Sequence, residues 1–290
     1  MTDPTTTDPT TNAPITTSSS HVSPADIALV ISDVDGTLVT SDKRLTAATR
    51  AAVRDLGEAG IGFTIASSRP PIGLKPLAAE LGLTLPMGAF NGSTLVAPDL
   101  TILSETLIPA QAAREAARQL AQARLDIWVF ADGRWNLTDP HAPYTDLERR
   151  TLQTEPNVVA DLEPLLDRAA KIVGVGSDAT HLEACEAAVA SALHGRADVH
   201  RSQAYYLDVT PPGAGKAGFV DALSRRLGID RSRIATFGDA GNDVPMFARS
   251  GFSVAMGNAA PAVQAAARAV TAANDADGFA KAVAEFILRR

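Results

Sequence analysis

The sequence predicts an α/β fold, a doubly wound parallel sheet interrupted by an inserted α+β block. Three observations carry this. In both flanks of the chain, short apolar β-branched runs alternate with helical patterns, the signature of βαβ units and a parallel sheet. Between residues 93 and 207 the texture changes to Ala-rich helices and short strand patterns around a hairpin signal. Finally, clusters of polar residues fall just after the apolar runs of the flanks, where open α/β sheets place their chemistry.

The first strand is Ile27-Ala28-Leu29-Val30-Ile31, apolar and short enough to be buried on both faces. Thr46 is placed to cap a helix running to about Ala59, with Val53 and Leu56 on one face and Gly60 as its stop. Ile61-Gly62-Phe63-Thr64-Ile65-Ala66 is a second buried strand, and Pro76 to Leu81 reads as a short helix. In the middle block, helices are expected over Ala110 to Arg124 and Thr180 to Leu193. Strands are expected over residues 127–130, 135–138 and 170–175, the first two joined by the Asp132-Gly133 turn. The stretch from Trp135 to Asn157 is long and polar enough to be a lid loop. The flank pattern then returns: a helix from Ala217 to Leu227 stopped by Gly228, a strand over 234–237, a short helix with Pro245 in its first turn, and a strand over 252–256. Pro261 opens a helix to about Ala269, and Asp275-Ala276-Asp277-Gly278 is expected to cap the last helix.

Composition narrows the function. Hydrophobic residues make up 46% of the 290, enough for a globular core, and the net charge of −7 excludes a basic nucleic-acid-binding face. No apolar run reaches the length of a membrane span. The single cysteine, Cys185, excludes an intrachain disulfide framework and a cysteine-based zinc cluster. Residues 1–24 form a Thr/Ser/Pro/Asp tail without the basic start and apolar stretch of a secretory signal. The expectation is a disordered tail on a cytoplasmic protein, a monomer or small homo-oligomer with no nucleic-acid or membrane partner.

Four polar clusters follow the strands or lie near them: Asp33/Asp35, Ser67/Ser68, Lys216 and Asp239/Asn242/Asp243. Each alone has an ordinary reading. Asp35-Gly36-Thr37 is a common turn, Ser67 and Ser68 suit another, Lys216 suits a solvated surface, and Asp243 suits a helix cap. Together, at one end of one sheet, they suit phosphoryl transfer. Asp33 and Asp239 need a cation such as Mg²⁺ between them, and hard cations choose carboxylate and carbonyl oxygens. Ser67 and Lys216 supply the donor and the positive charge that the equatorial phosphoryl oxygens require. Asp35 is placed to protonate a leaving alcohol and then to deprotonate water.

Asp33-Val34-Asp35-Gly36-Thr37-Leu38, a Ser-ended second strand, a lone lysine and Gly238-Asp239-Ala240-Gly241-Asn242-Asp243 resemble, in this order, the four motifs of the haloacid dehalogenase (HAD) superfamily phosphatases. The insertion resembles the class IIB cap of the Cof-type branch. Phe90-Asn91-Gly92, the segment 211–216 and the segment 274–278 also resemble that branch. The resemblance spans Ala25 to the C-terminus. It implies a HAD-like core over 25–92 and 208–290 and a cap over 93–207. The implied enzyme is a Mg²⁺-dependent phosphatase of small phosphorylated metabolites, especially sugar phosphates, working through an aspartyl-phosphate. In that assignment Asp33 is the nucleophile, and Asp35 is the acid/base, with its backbone carbonyl on the metal. Ser67, Ser68, Lys216 and Asn242 meet the phosphoryl group. Asp239 binds the metal, and Asp243 holds either the metal's water shell or Lys216. The branch usually has Thr-Gly-Arg where this chain has Ser67-Ser68-Arg69, so a side chain replaces a bare backbone at the phosphate.

A nucleotide-binding loop is excluded, because Lys216 is followed by Ala217 and residue 210 is threonine. A phosphomutase using the same Asp33 chemistry and a silent binding protein on the same fold are the remaining alternatives. In the cap, Asp139, His141, Tyr144 and Arg149 are the loop candidates for substrate contact.

Overall fold

A computed structural model describes residues 27–289, so the expected tail over 1–24 lies outside the described residues. In chain order the elements begin β1 (Leu29–Ser32), α1 (Ala47–Glu58), β2 (Gly62–Ile65), α2 (Pro71–Leu81), β3 (Met87–Ala89), β4 (Thr94–Val96) and β5 (Ile102–Glu105). Then come α3 (Ala110–Gln122), β6 (Asp126–Ala131), β7 (Arg134–Leu137), α4 (Thr145–Leu152), β8 (Asn157–Val158), β9 (Ala169–Val175), α5 (Ala179–Leu193), β10 (Asp198–Gln203) and β11 (Tyr206–Thr210). The chain closes with α6 (Lys216–Leu227), β12 (Ile234–Gly238), α7 (Val244–Phe247), β13 (Phe252–Ala255), α8 (Pro261–Ala266), β14 (Ala269–Val270) and α9 (Gly278–Ala282).

The first sheet is five-stranded and parallel throughout, in the order β14-β13-β12-β1-β2. β1 lies between β12 and β2, with Ser32 level with both Phe237 and Ile65. Because these strands run the same way, the residues that follow them, Asp33, Asp239 and Ser67, emerge at one rim. The chain order departs in opposite directions from β1, so this rim is the switch point where open α/β sheets leave a crevice. Local chemistry supports the elements: the Thr46 hydroxyl accepts the Thr49 N–H at 3.1 Å and starts α1. Pro71 at the first position of α2 is pre-set for a helix, which moves that helix's start well before Pro76.

The second sheet is six-stranded, in the order β10-β11-β9-β6-β7-β8, and is antiparallel except where β7 meets β8. Asp132 and Gly133 both have positive φ, 53° and 70°, in the tight turn from β6 to β7. Alternation along the strands divides the sheet between two cores. Val129, Ala131, Leu207 and Val209 face α3 and α5, and pack with Ala112, Ala116, Leu120, Leu182 and Val189. Trp128, Phe130 and Tyr206 face the other way and share a cluster with residues of the parallel-sheet domain, including Leu74, Phe90 and Phe237.

Several elements differ from the sequence reading. Residues 135–157 are not a loop but hold β7, α4 and β8. β3, β4 and β5 form a three-stranded sheet with β4 in the middle, and β11 lies between β10 and β9 in the six-stranded one. Divided by sheet, the insertion would run from about residue 106 to 210, a proposal that shifts both of the expected boundaries at 93 and 207. The Ala-rich run after Pro261 stops at Ala266, because Ala267 is extended (φ −91°, ψ 159°) and leads into the edge strand β14. Asp277 does not cap α9: it sits in the left-handed region (φ 57°), and no side-chain cap bond forms. Past α9 the backbone widens to i→i+5 bonding over Val283–Leu288. Among the described residues no helix is long and apolar enough to cross a membrane.

α9 is held on the parallel sheet by Phe279, buried with ring centroids 5.7 Å from Phe63 and 5.1 Å from Phe237. Phe279→Ala empties that space and is expected to lower the unfolding free energy by about 3–5 kcal/mol, read as a lower midpoint in urea at unchanged slope.

Candidate active site

Asp33 begins where β1 ends, and its N–H donates to Phe237 O at 2.8 Å, so the parallel ladder itself fixes its position. One residue past β12 comes Asp239, and four further on comes Asp243, in the 3₁₀ turn that leads into α7. Carboxylate oxygens of these three residues lie within 4.8 Å of one another; among the described residues this is the one acidic group of such a kind. Lys216, the first residue of α6, reaches into it. Its ammonium donates to Asp33 Oδ1 and, at 2.5 Å, to Asp243 Oδ1. It is 1% exposed, which overturns the ordinary reading of a solvated lysine.

Asp243 combines two of the roles open to it. Its Oδ2 accepts the N–H groups of Asp239 and Ala240, each at 2.9 Å, and so stiffens the turn, while Oδ1 takes Lys216. Both of its oxygens are thus engaged, Oδ1 with the lysine and Oδ2 with the turn. Asp239 accepts the Thr37 hydroxyl at 2.8 Å and the Asn258 amide at 3.4 Å. Gly36 (φ 85°) passes so close that a Cβ there would lie 2.3 Å from Asp239 Oδ2.

The electrostatics follow. Burial pushes the Asp33 carboxyl well up; Lys216 opposes this, and the negative charges of Asp243 and Asp239 reinforce it. Burial also raises Asp239, against the Thr37 hydrogen bond. Lys216 moves the other way: burial disfavours its charge, but Asp243 and Asp33 hold it far above the ordinary lysine value. Three carboxylates against one ammonium leave the cluster negative. A hard divalent cation is what this all-oxygen donor set fits, with Asp33 and Asp239 as its carboxylates.

Asp35 is turned away from the cluster. Arg69 grips its carboxylate through Nε and Nη2, each at 2.8 Å, and Lys43 Nζ adds a third contact at 2.7 Å. Burial alone would raise Asp35, but the Arg69 bonds and charge, with Lys43, hold it far below the usual carboxylate range. Any metal contact from this residue therefore falls to its backbone carbonyl. Ser67 is buried, and its hydroxyl accepts the Arg69 N–H at 3.2 Å. Ser68 lines the cleft between the domains. Asn242 donates to Asn91 Oδ1 at 3.0 Å, and the Asn91 amide nitrogen in turn lies 3.3 Å from His200 Nε2 on β10.

Sequence reasoning missed Arg69, Lys43 and Asn91 as site residues, although Arg69 and Asn91 sit inside segments it singled out. The loop candidates of the insertion lie away from the lining of the clefts. Asp139 accepts the His141 N–H, and Arg149 pairs with Asp146 and Glu155; neither these nor His141 or Tyr144 line the clefts. Lys171 lines a cleft instead, paired at 2.6 Å with the fully buried Asp208 behind it, and its Nζ lies 3.4 Å from Ser68 O. The readable signal was a charge of each sign in the middle of two otherwise apolar strands. A cleft of about 780 Å³ between the sheets joins Asp33, Ser68, Asn91, His200, Lys216 and Asn242.

The model of the haloacid dehalogenase-like hydrolases matches residues 30–283. A Bacillus subtilis protein named putative phosphatase YkrA is 30% identical over 90% of this chain and 98% of its own length. An HMP-PP phosphatase of Serratia proteamaculans is 30% identical over 79% of this chain and 83% of its own. Among solved structures, a haloacid dehalogenase-like hydrolase from Bacteroides thetaiotaomicron has a TM-score of 0.81 at 29% identity, covering 89% of this chain and 99% of that one. A HAD subclass IIB sugar phosphatase shares the fold, with a TM-score of 0.79 at 24% identity over 89% of this chain and 98% of that one.

Lys216→Met strips the compensation from two buried carboxylates and is expected to cost about 3–5 kcal/mol of stability at neutral pH. Carboxylates raised in the folded state take up protons before those of the unfolded chain, so the folded form gains as pH falls. The deficit of the variant against the parent should therefore shrink from about pH 8 to about pH 5, measured by urea unfolding across that range.

Proposed function

The chain belongs to the haloacid dehalogenase-like hydrolase family, as a phosphatase of its Cof-type branch with a class IIB cap, and from that premise we propose that it hydrolyses phosphomonoesters of small metabolites, sugar phosphates among them, through an aspartyl-phosphate on Asp33. The observation that carries this reading is the buried Lys216 bridging Asp33 and Asp243 beside Asp239. An ammonium fixed on the nucleophile favours the ionised form of Asp33 against its burial and brings positive charge to the place where the transferring phosphoryl group must sit. The names of two relatives, both phosphatases of small phosphorylated compounds, support the substrate class.

Mg²⁺ would be held by Asp33, Asp239 and the carbonyl of Asp35, and when bound it supplies charge neutralisation between nucleophile and phosphate. This chain's own residues do the rest. Asp33 Oδ attacks phosphorus, and the P–O bond to the leaving alcohol breaks. Asp35 gives that oxygen a proton and later takes one from the water that opens the aspartyl-phosphate. Ser67 and Ser68 donate to the phosphoryl oxygens on one side, and Lys216 and Asn242 on the other. As it stands, Asp35 is an ionised acceptor gripped by Arg69 and Lys43. To act as an acid it must loosen that grip and acquire a proton, so substrate entry and Asp35 protonation are coupled in this reading.

Asp33→Asn is expected to abolish Mg²⁺-dependent phosphate release from p-nitrophenyl phosphate, a loss of at least about 1,000-fold, with the circular dichroism spectrum unchanged. Turnover retained in that variant would refute the nucleophile. Chelating the divalent ion from the parent enzyme should likewise stop release, and re-adding Mg²⁺ should restore it.

A further inference from the structure

The insertion reaches the rim through a line of side chains that ends on Asn242. His200 on β10 lies in the larger cleft, half-buried, opposite the fully buried Asp208 of β11 in the strand pairing. Its Nε2 is 3.3 Å from the Asn91 amide nitrogen. Asn91 Oδ1 in turn accepts the Asn242 amide N–H at 3.0 Å. The line therefore runs from the insertion, through the loop after β3, into the turn after β12 that carries Asp243.

The direction of each bond follows from the groups that make it. An amide nitrogen only donates, so His200 Nε2 accepts from Asn91 and carries its hydrogen on Nδ1. The acid facing Nε2 is Asp208, 4.0 Å away, and Lys171 already holds that carboxylate at 2.6 Å. Asn91 is fixed from behind. Its backbone is left-handed (φ 59°), its N–H donates to Ser67 O at 2.7 Å, and the Phe90 N–H donates to Arg69 O at 3.0 Å. With the backbone stitched to the loop after β2, the side-chain amide is the part left to turn. Asn91 is 3% exposed, and a buried amide keeps the orientation that pairs both its ends. Without an acceptor at residue 200, the Asn91 nitrogen is left bare, and turning the amide over would reverse its bond with Asn242. Asn242 has two N–H groups and gives one to Asn91, so the plane of its amide sets the direction of the other.

We propose that His200 is a positioning residue for phosphate binding, holding Asn91 so that Asn91 in turn aims Asn242 at the phosphoryl group. This rests on the phosphatase reading, in which Asn242 meets that group, and adds to it a residue of the insertion that acts at one remove. The phosphate side of the site is then complete only while the insertion lies over the rim. Because His200 itself lines the cleft, the rival role is direct contact with the leaving group.

The test uses the full chain with Mg²⁺, p-nitrophenyl phosphate as the ester and inorganic phosphate as a competitive inhibitor that has no leaving group. His200→Leu keeps bulk and removes the acceptor. It is expected to raise KM for the ester and Ki for phosphate by the same factor, about tenfold, the worth of one well-aimed donor to a charged group, with kcat changed less. His200→Gln, whose amide oxygen can accept from Asn91, should recover most of that loss. Asn242→Ala should raise both constants at least as far, and adding His200→Leu to it should cost no more than about twofold further. Circular dichroism checks that each variant is folded, and His200→Ala runs the same cycle if the leucine variant is not. Losses that multiply in the double variant overturn the proposal, and so does a Ki for phosphate unchanged in His200→Leu, which would place His200 on the leaving group. In both cases a parent enzyme that hydrolyses the ester leaves the phosphatase reading standing. A parent that releases no phosphate overturns that reading and this proposal with it.

Discussion

One ammonium shared between two buried carboxylates organises the rim of the parallel sheet. Lys216 sits at the start of α6, Asp33 at the end of β1, and Asp243 in the turn after β12, so the contact ties three segments far apart in the chain. Each of these charges would be costly to bury alone. The cluster is tolerable because the carboxylates share the lysine and because Asp243 spends its other oxygen on two backbone N–H groups. What remains is a net negative pocket that suits a divalent ion and then an anionic substrate. The parallel register makes it possible, since Ser32, Phe237 and Ile65 lie level and release their successors side by side.

The rim was legible in the sequence because its information is local. Asp33, Ser67 and Asp239 each follow an apolar strand, and parallel strands bring such positions to one edge whatever the details of packing. Lys216 could be matched by resemblance, but its burial could not be read from Gly215-Lys216-Ala217, which looks like any solvated turn. The insertion was harder. Its helices were plain from their Ala-rich patterns, yet its site residues were sought in loops, where polar side chains are commonplace. The ones that face the clefts sit within strands: Lys171 among apolar neighbours in β9, where it pairs with the buried Asp208 of β11, and His200 in β10. A single buried charge in a strand is an anomaly visible in sequence; its partner on another strand is a fact of register alone. β14 and the widened backbone over Val283–Leu288 escaped because a short edge strand and a looser helical turn leave no periodic trace.

The two-faced sheet of the insertion gives the crevice its character. One face is sealed by α3 and α5; the other presents Trp128, Phe130 and Tyr206 to the parallel-sheet domain, with Lys171 and Asp208 set among them. Lys171 touches Ser68 O and His200 approaches Asn91, so polar contacts reach both loops that border Asp33. The face that covers the rim is thus part of the hydrophobic core and part of the cleft wall. Its aromatic side chains lower the dielectric beside the carboxylate cluster.

Gly36 contributes no functional group, yet its position tolerates nothing else. Its left-handed backbone excludes most side chains, and even a methyl group would collide with the carboxylate of Asp239. The carboxylate cluster is therefore bounded by an absence of atoms as much as by its charges. An engineer widening this enzyme's repertoire by randomising the surroundings of Asp33 would find freedom in the insertion's clefts and none at residue 36, the most inconspicuous site on the rim.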